Sequence, residues 1–562
     1  MLASVKEQVI DRETGMITTQ PNIQLDGYAA KKCARLTHNK FSPDAPEEPD
    51  VDAFTRHLMD QGNAFEDVIN ERLSYVPGAL WLSDEDGWES NMAQTLDAMR
   101  RCVPLIVNGR LPNTETRSGA PDVLVFHDGG YLPVDIKCHS TRNDVGEKNV
   151  VRVSTFDAPA DLFEAHGLSE STEYLYDDGL QLAHYTRMLQ ELGFHAGDDH
   201  PIGGIIGNSD FTDMGGNPWL IIWYDLTRPR KDTYSKSSDT GRAKRGLMKL
   251  YDHEFAFRLD VAREAKLGGQ LVRPFHISDC KGCVWLDYCK REAGPDDVSF
   301  KIGTYLPTAQ RWRMLSDQGV TTLDALADLD PALPPTGWGH RGGTAKAWAD
   351  LVRRANMVRD GVPFEPKEDW PEVPTAEVEV DFDIEWDFDE RIYLWGLRVR
   401  QGQDDDTADY QPVYDFGPLD DAGAARLASQ FAERIRTLAD DAEAQGKTFK
   451  IFHWSDPEST KTMKFADVAA ALDGRLLDIG RWFEKRFFSA DGWSIKVVAP
   501  ALEFGWGVDD PGGAESQVKI EEARAGGPDG QAAAEWLLTY NRSDVAAQAA
   551  VRDGLARRHP AN

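Results

Sequence analysis

Thiol and acidic side chains recur along this chain at spacings that suit metal chemistry. Cys33 stands alone near the start, and Cys280, Cys283 and Cys289 follow about 250 residues later in DCKGCVWLDYC. The chain has only six cysteines, so three within one short string is a strong signal. No apolar run of about 18 residues and no secretory signal stands out, so a cytosolic, thiol-reducing setting with no membrane partner is expected. Clustered thiols in such a setting more often hold a metal than form disulfides. Tetrahedral zinc and an iron–sulfur cluster are both compatible with the spacing, and either would staple the two ends of the segment together. Cys102 and Cys138 read as buried small apolar residues.

The first acidic constellation lies in PDVLVFHDGGYLPVDIK, from Pro121 to Lys137. Two β-type runs, 122–126 and 131–137, flank the turn signal HDGG and predict a hairpin. Asp135 and Lys137 are two apart and share a strand face, with Ile136 and Cys138 directed to the core. Asp122 on the partner strand can approach the same face. Two carboxylates beside an ammonium suit metal-assisted phosphodiester cleavage, with the lysine orienting the nucleophile or meeting the phosphate. Glu66, in an apparent helix, offers a further ligand. Gln181 and Tyr185 in QLAHY sit one helical turn apart, on one face. His57 and His184 read as packed or solvated rather than ligating.

A second constellation lies near the C-terminus. VEVDFDIEWD (378–387) alternates acidic and apolar residues, so Asp383 and Glu385 share a strand face with Phe382 and Ile384 opposite. Tyr540 and Asp544 are four apart in an apparent helix and also share a face.

In its order of motifs the N-terminal half resembles the RecB-type branch of PD-(D/E)xK nucleases, in particular the AddB-like iron–sulfur exonucleases. The shared pattern is a lone early cysteine, an acid- or His-bearing helix, PD, DxK, QxxxY and a late C-x2-C-x5-C. The resemblance implies a [4Fe–4S] cluster on Cys33, Cys280, Cys283 and Cys289. It also implies Mg²⁺ or Mn²⁺ held by Glu66, Asp122 and Asp135, a catalytic Lys137, and support from Gln181 and Tyr185. Many relatives carry His where Glu66 stands. The C-terminal half is similar to the DEDDy exonucleases, which have an RNase H-like fold. That likeness implies metal on Asp383, Glu385 and Asp544, with Tyr540 placing the attacking water. The middle aspartate of that family has no clean counterpart; Asp456 and Glu458 in HWSDPE are the candidates, and Asp478 reads as a core-edge residue. The order of both modules resembles predicted RecB-family nucleases of bacteria.

The elements that must position these residues fall into an α/β multidomain chain of 562 residues. Residues 1–295 are expected as the PD-(D/E)xK restriction-endonuclease-like core stapled by the Fe–S cluster. A small helical connector, 296–362, would contain a helix–hairpin–helix-like element whose backbone near Gly319 can meet a phosphate. A linker at 363–375 precedes the RNase H-like α/β domain, 376–562. The net charge of −32 argues against broad nonspecific nucleic-acid binding. The segment Arg228–Lys249 departs from it, with eight Lys/Arg against two Asp, and reads as a solvated loop or a phosphate-contacting arm. No Walker-type string is present, so any helicase would be a partner. The expected substrate is DNA, single-stranded or with free ends; RNA trimming or non-catalytic binding within a repair or defence assembly is the alternative for the C-terminal module.

Overall fold

The computed structural model describes residues 7–10, 17–20, 23–197, 201–214, 218–234, 242–302, 305–306, 309–339, 343–509 and 512–560. The chain is a mixed α/β protein that divides into two compact units. One comprises residues 1–295, 306–317 and 335–344, the other 296–305, 318–334 and 345–562. The segment expected as a connector is therefore shared between the units. The two helices of the expected helix–hairpin–helix element, Ala309–Asp317 and Leu323–Ala327, fall on different sides of that division. Among the described residues no helix is long and apolar enough to cross a membrane.

The first unit is built on an eight-stranded mixed sheet. Its order is Ala79–Trp81, Leu105–Val107, Val123–His127, Gly130–Lys137, Ile202–Gly207, Ile221–Asp225, Val150–Thr155 and Ala158–His166. The predicted hairpin forms with a two-residue turn in which Asp128 and Gly129 both take positive φ, 47° and 85°. That geometry matches the twist of the paired strands and explains the DG at its centre. The Gly130–Lys137 strand runs parallel to Ile202–Gly207, and both are apolar and buried along most of their length, as strands covered on both faces must be. The helices Ala53–Ser74 and Leu175–Leu192 both contact the Gly130–Lys137 strand. Asp52 caps the first helix by accepting from the Thr55 N–H at 2.7 Å. The basic segment is not a loop throughout: Lys231–Tyr234 pairs antiparallel with Arg242–Arg245, and residues 235–241 lie outside the described residues.

In the second unit the sheet runs Asp404–Tyr410, Ile392–Gln401, Val378–Trp386, Phe449–His453 and Leu476–Asp478. The first three are antiparallel neighbours and the last two join in parallel. Val378–Trp386 is central because its even-numbered face is apolar: Val380, Phe382 and Ile384 sink into the core with Phe431 and Trp395. Burying a side chain of this size contributes roughly 1.5–3 kcal/mol. Phe364–Pro366, expected within a linker, pairs with Phe487–Ser489, and Trp370 donates to the Leu555 carbonyl at 3.2 Å.

The acidic face of Val378–Trp386 bears Glu379, Asp381, Asp383 and Glu385. At one end Glu379 accepts from Arg400 at 2.7 Å and from Arg552 at 2.9 Å, and Arg552 also pairs with Asp381. All four of those residues are fully buried. Asp383 and Glu385, at the other end, meet a different environment.

Candidate functional site

In the first unit the sheet brings Glu66, Asp122, Asp135 and Lys137 into one electrostatic neighbourhood. Asp122 immediately precedes the Val123–His127 strand, and its Oδ2 accepts from the Ile136 N–H at 2.6 Å. Burial, and then the Asp135 charge, push its carboxyl well above the usual range. Asp135 is fully buried and holds Lys137 Nζ at 2.8 Å. Burial works against the Lys137 ammonium, but Asp135 and Asp122 outweigh it and hold the proton more firmly than on an ordinary lysine. Glu66, on the Ala53–Ser74 helix, is raised by burial, opposed by Asn70. Gln181 Nε2 donates to Tyr185 Oη at 2.9 Å, and both residues are buried. The charges of Asp135 and Asp122 add to burial in raising the Tyr185 phenol, so the QxxxY pair belongs to this neighbourhood.

Two residues of this site carry no motif. Lys31 Nζ donates to Gln181 Oε1 at 2.7 Å and lies 4.5 Å from the Tyr28 ring centroid. Burial and then the Lys137 charge lower its pKa to about 8. The Tyr28 phenol is raised by burial and feels Lys137, Asp135 and Asp122. No spacing rule points to either residue; only their closeness to Cys33 could have drawn attention.

Cys33 precedes the Ala34–Phe41 helix; Cys280 ends a short 3₁₀ turn, and Cys289 lies in Leu286–Ala293. All six cysteines are free thiols. Burial, followed by the charges of Cys33, Cys283 and Cys289, pushes the Cys280 thiol up to about 12. The four sulfurs are therefore neighbours, and Asn39 Nδ2 donates to Cys289 Sγ at 3.5 Å. Cys102 and Cys138 are exposed, contrary to expectation. Cys102 leaves the Trp88–Arg100 helix at φ 54°, and Cys138 lies one residue past the end of its strand, where the alternation of faces no longer applies. His184 is a packed core residue, as expected: Tyr251 Oη and the Ser118 carbonyl hold its two ring nitrogens at 2.9 and 3.0 Å.

The second unit gathers its acids more tightly. Among the described residues, Asp383, Glu385 and Asp544 form the one His/Cys/Asp/Glu group whose ligand atoms all lie within 4.8 Å of one another. The first unit's acids and the four thiols do not reach that closeness. The three acids line a cavity of about 560 Å³ with Tyr540 and Glu458. Of Asp456 and Glu458, it is Glu458 that lines this cavity. It is buried, both its oxygens accept from Ser455 Oγ at 3.0 and 2.9 Å, and its charge is among those that raise the Asp383 carboxyl. Asp456 instead is half exposed and pairs with Arg481 at 2.9 Å. Asp478 caps the Ile479–Arg486 helix through the Arg481 N–H.

Each acid has its own support. Asn541 Nδ2 donates to Asp383 Oδ2 at 2.8 Å, and Tyr410 Oη holds Asn541 Oδ1 at 2.9 Å. Opposite Asp383 in register lies Gly396, where a Cβ would stand 1.8 Å from Asn541 Oδ1. Ser516 Oγ donates to Glu385 at 2.6 Å. Asp544 Oδ1 accepts from Trp506 Nε1 at 2.6 Å and pairs with Lys496. Lys496 also lies over the rings of Trp506 and Tyr540, at 4.2 and 4.5 Å. Burial first, then Asp544, raises Glu385 to about 8; burial, Asp544, Glu385 and Glu458 push Asp383 well up. Neighbouring carboxylates thus disfavour the ionisation of Asp383 and of Glu385, and such a site would gain from added cations. Lys496, Trp506, Ser516 and Asn541 were not anticipated, since three separate helices and one loop deliver them from positions with no shared spacing.

No family model, no curated protein and no solved structure matches this chain.

Proposed function

We propose that this protein is a metal-dependent nuclease with two hydrolytic sites, the first of the RecB-type PD-(D/E)xK kind and the second of the RNase H-like DEDDy kind. The observation that carries the reading is the convergence of Asp383, Glu385 and Asp544, separated by up to 161 residues of sequence, on one cavity with Glu458 and Tyr540. Carboxylates so placed hold Mg²⁺ or Mn²⁺, which supplies an activated water and neutralises charge on the phosphate. Asp383, Glu385, Glu458 and Asp544 are the ligands of the second site. Tyr540, its ring fixed against Trp536 at 4.9 Å, directs its hydroxyl toward the acids and orients the water. In the first site Glu66, Asp122 and Asp135 hold the ion. Lys137, already within 2.8 Å of Asp135, stays protonated and meets a phosphate oxygen or the nucleophile.

The four thiols hold a [4Fe–4S] cluster, a reading supported by the motif order, a lone early cysteine and a late C-x2-C-x5-C, that the chain shares with the iron–sulfur exonucleases. The cluster's role is to hold the segment ends together. The substrate is DNA, attacked from strand ends.

Labelled DNA and RNA, incubated with the full chain and Mg²⁺ or Mn²⁺, test the reading. Cleavage should fall in Lys137→Ala and again in Asp544→Ala, and vanish in the double variant. Undiminished cleavage by the double variant would refute it.

A further inference from the structure

We infer that the segment Gln24–Phe41 forms a subsite for one unpaired nucleotide beside the first hydrolytic site, with Lys31 binding its phosphate and Tyr28 stacking on its base. The inference rests on the nuclease reading of that site and names its substrate class as single-stranded nucleic acid.

Three observations carry it. Lys31 points into the acid neighbourhood: its ammonium bonds Gln181 at 2.7 Å and feels Lys137 and Asp135. An ammonium has three donors, and the bond to Gln181 uses one, so a phosphate oxygen adjoining the scissile group can be met without breaking it. Tyr28 lies between two environments. Its hydroxyl end feels Lys137, Asp135 and Asp122, while the residue as a whole is 50% exposed. Tyr28 also lines an apolar cleft of about 290 Å³ with Leu25, Ala29, Leu36 and Phe41, and Lys32 and Lys40 are on its wall. An aromatic ring, an apolar wall and flanking lysines form the arrangement by which single strands are held without sequence preference. A base inside a duplex is already stacked and paired, so it cannot enter the cleft without being unstacked.

The segment is also held rigidly. Asp26 Oδ1 accepts from the Tyr28 and Ala29 N–H groups at 2.9 and 3.1 Å, and Arg258 Nη2 donates to the Lys32 carbonyl at 2.9 Å.

The test uses the full chain with Ca²⁺ in place of Mg²⁺, to suppress turnover. Affinity for a fluorescein-labelled oligothymidylate and for a blunt hairpin duplex is measured across a salt series. Lys31→Met should bind the single strand about tenfold more weakly and flatten the slope of log K against log salt by about 0.7, the loss of one phosphate contact. Lys31→Arg should restore the slope. Tyr28→Leu should weaken single-strand binding by about tenfold with the slope unchanged, and hairpin affinity should not move in any variant. A 5-iododeoxyuridine oligonucleotide should photo-cross-link to the peptide containing Tyr28. Unchanged single-strand affinity, equal loss on both substrates, or cross-links only elsewhere overturns the subsite. Should Lys31→Met not fold, Tyr28→Leu and the cross-link decide. Wild-type cleavage in Mg²⁺, lost in the Lys137→Ala, Asp544→Ala double variant, reports separately on the nuclease reading.

Discussion

In the first unit Asp135 already holds an ammonium at 2.8 Å and Asp122 a backbone N–H at 2.6 Å, whereas in the second unit four carboxylates share one lysine, which pairs with Asp544. Like charges about 4 Å apart repel by roughly 4 kcal/mol in a partly buried setting. The second cluster must therefore keep protons or take up cations, and Glu385, raised to about 8, keeps its proton. The Val378–Trp386 strand makes the same point on one face. Glu379 and Asp381 are matched by buried arginines and are structural; Asp383 and Glu385 have no such match and are free for chemistry.

The sharpest way to break this comparison is to disable one site at a time. Asp135→Ala and Asp544→Ala should each cost on the order of 10³-fold in cleavage by their own unit. The residual activity of each single variant on end-labelled DNA should be removed by the other substitution. If either substitution alone abolishes all cutting, the two sites are not independent. Next in size, Glu458→Ala should lower the second activity roughly 10²-fold. Asp456→Ala should leave it within about twofold, because its exposed pair with Arg481 is of the weak surface kind.

Divalent ions sharpen the contrast in stability. At a hundredfold excess over Kd an ion adds about 2.7 kcal/mol to the state that binds it. Calorimetry should show Mn²⁺ raising the melting of the second unit more than that of the first. Glu385→Gln should stabilise the ion-free protein and blunt that rise.

Glu385 and His184 should contribute pH dependences of opposite sign. Glu385 folds with its pKa raised to about 8, so its contribution is full below its unfolded value of 4.5 and is lost as pH rises through 8. His184 folds with its pKa lowered to about 3, so its contribution is full above 6.5 and is lost as pH falls toward 3. Each slope is at most about 1.4 kcal/mol per pH unit. In melting of the ion-free chain across pH, Glu385→Gln should flatten the loss of the second unit's stability toward pH 8, and His184→Gln the loss of the first unit's toward acid.

Much of both sites was legible because strand and helix periods are short-range rules. Asp383 and Glu385 share a face by the two-residue repeat, and Tyr540 and Asp544 by the helical turn. The rule fails where regular structure ends: Cys138 lies past the end of its strand and turns outward. Spacing also could not choose between Asp456 and Glu458, since only the geometry of the turn after Phe449–His453 decides which carboxylate points inward. Lys31, Lys496 and Trp506 reach their sites by long-range folding, and no local pattern marks them.

Gly396 suggests how the second site could be silenced while every acid stays in place. A methyl group there would wedge against Asn541 and dislodge the amide that fixes Asp383. The carboxylate would then be free to rotate. A missing side chain on the neighbouring strand thus acts as a keyhole for the amide, and the aim of the Asp383 carboxylate depends on that gap.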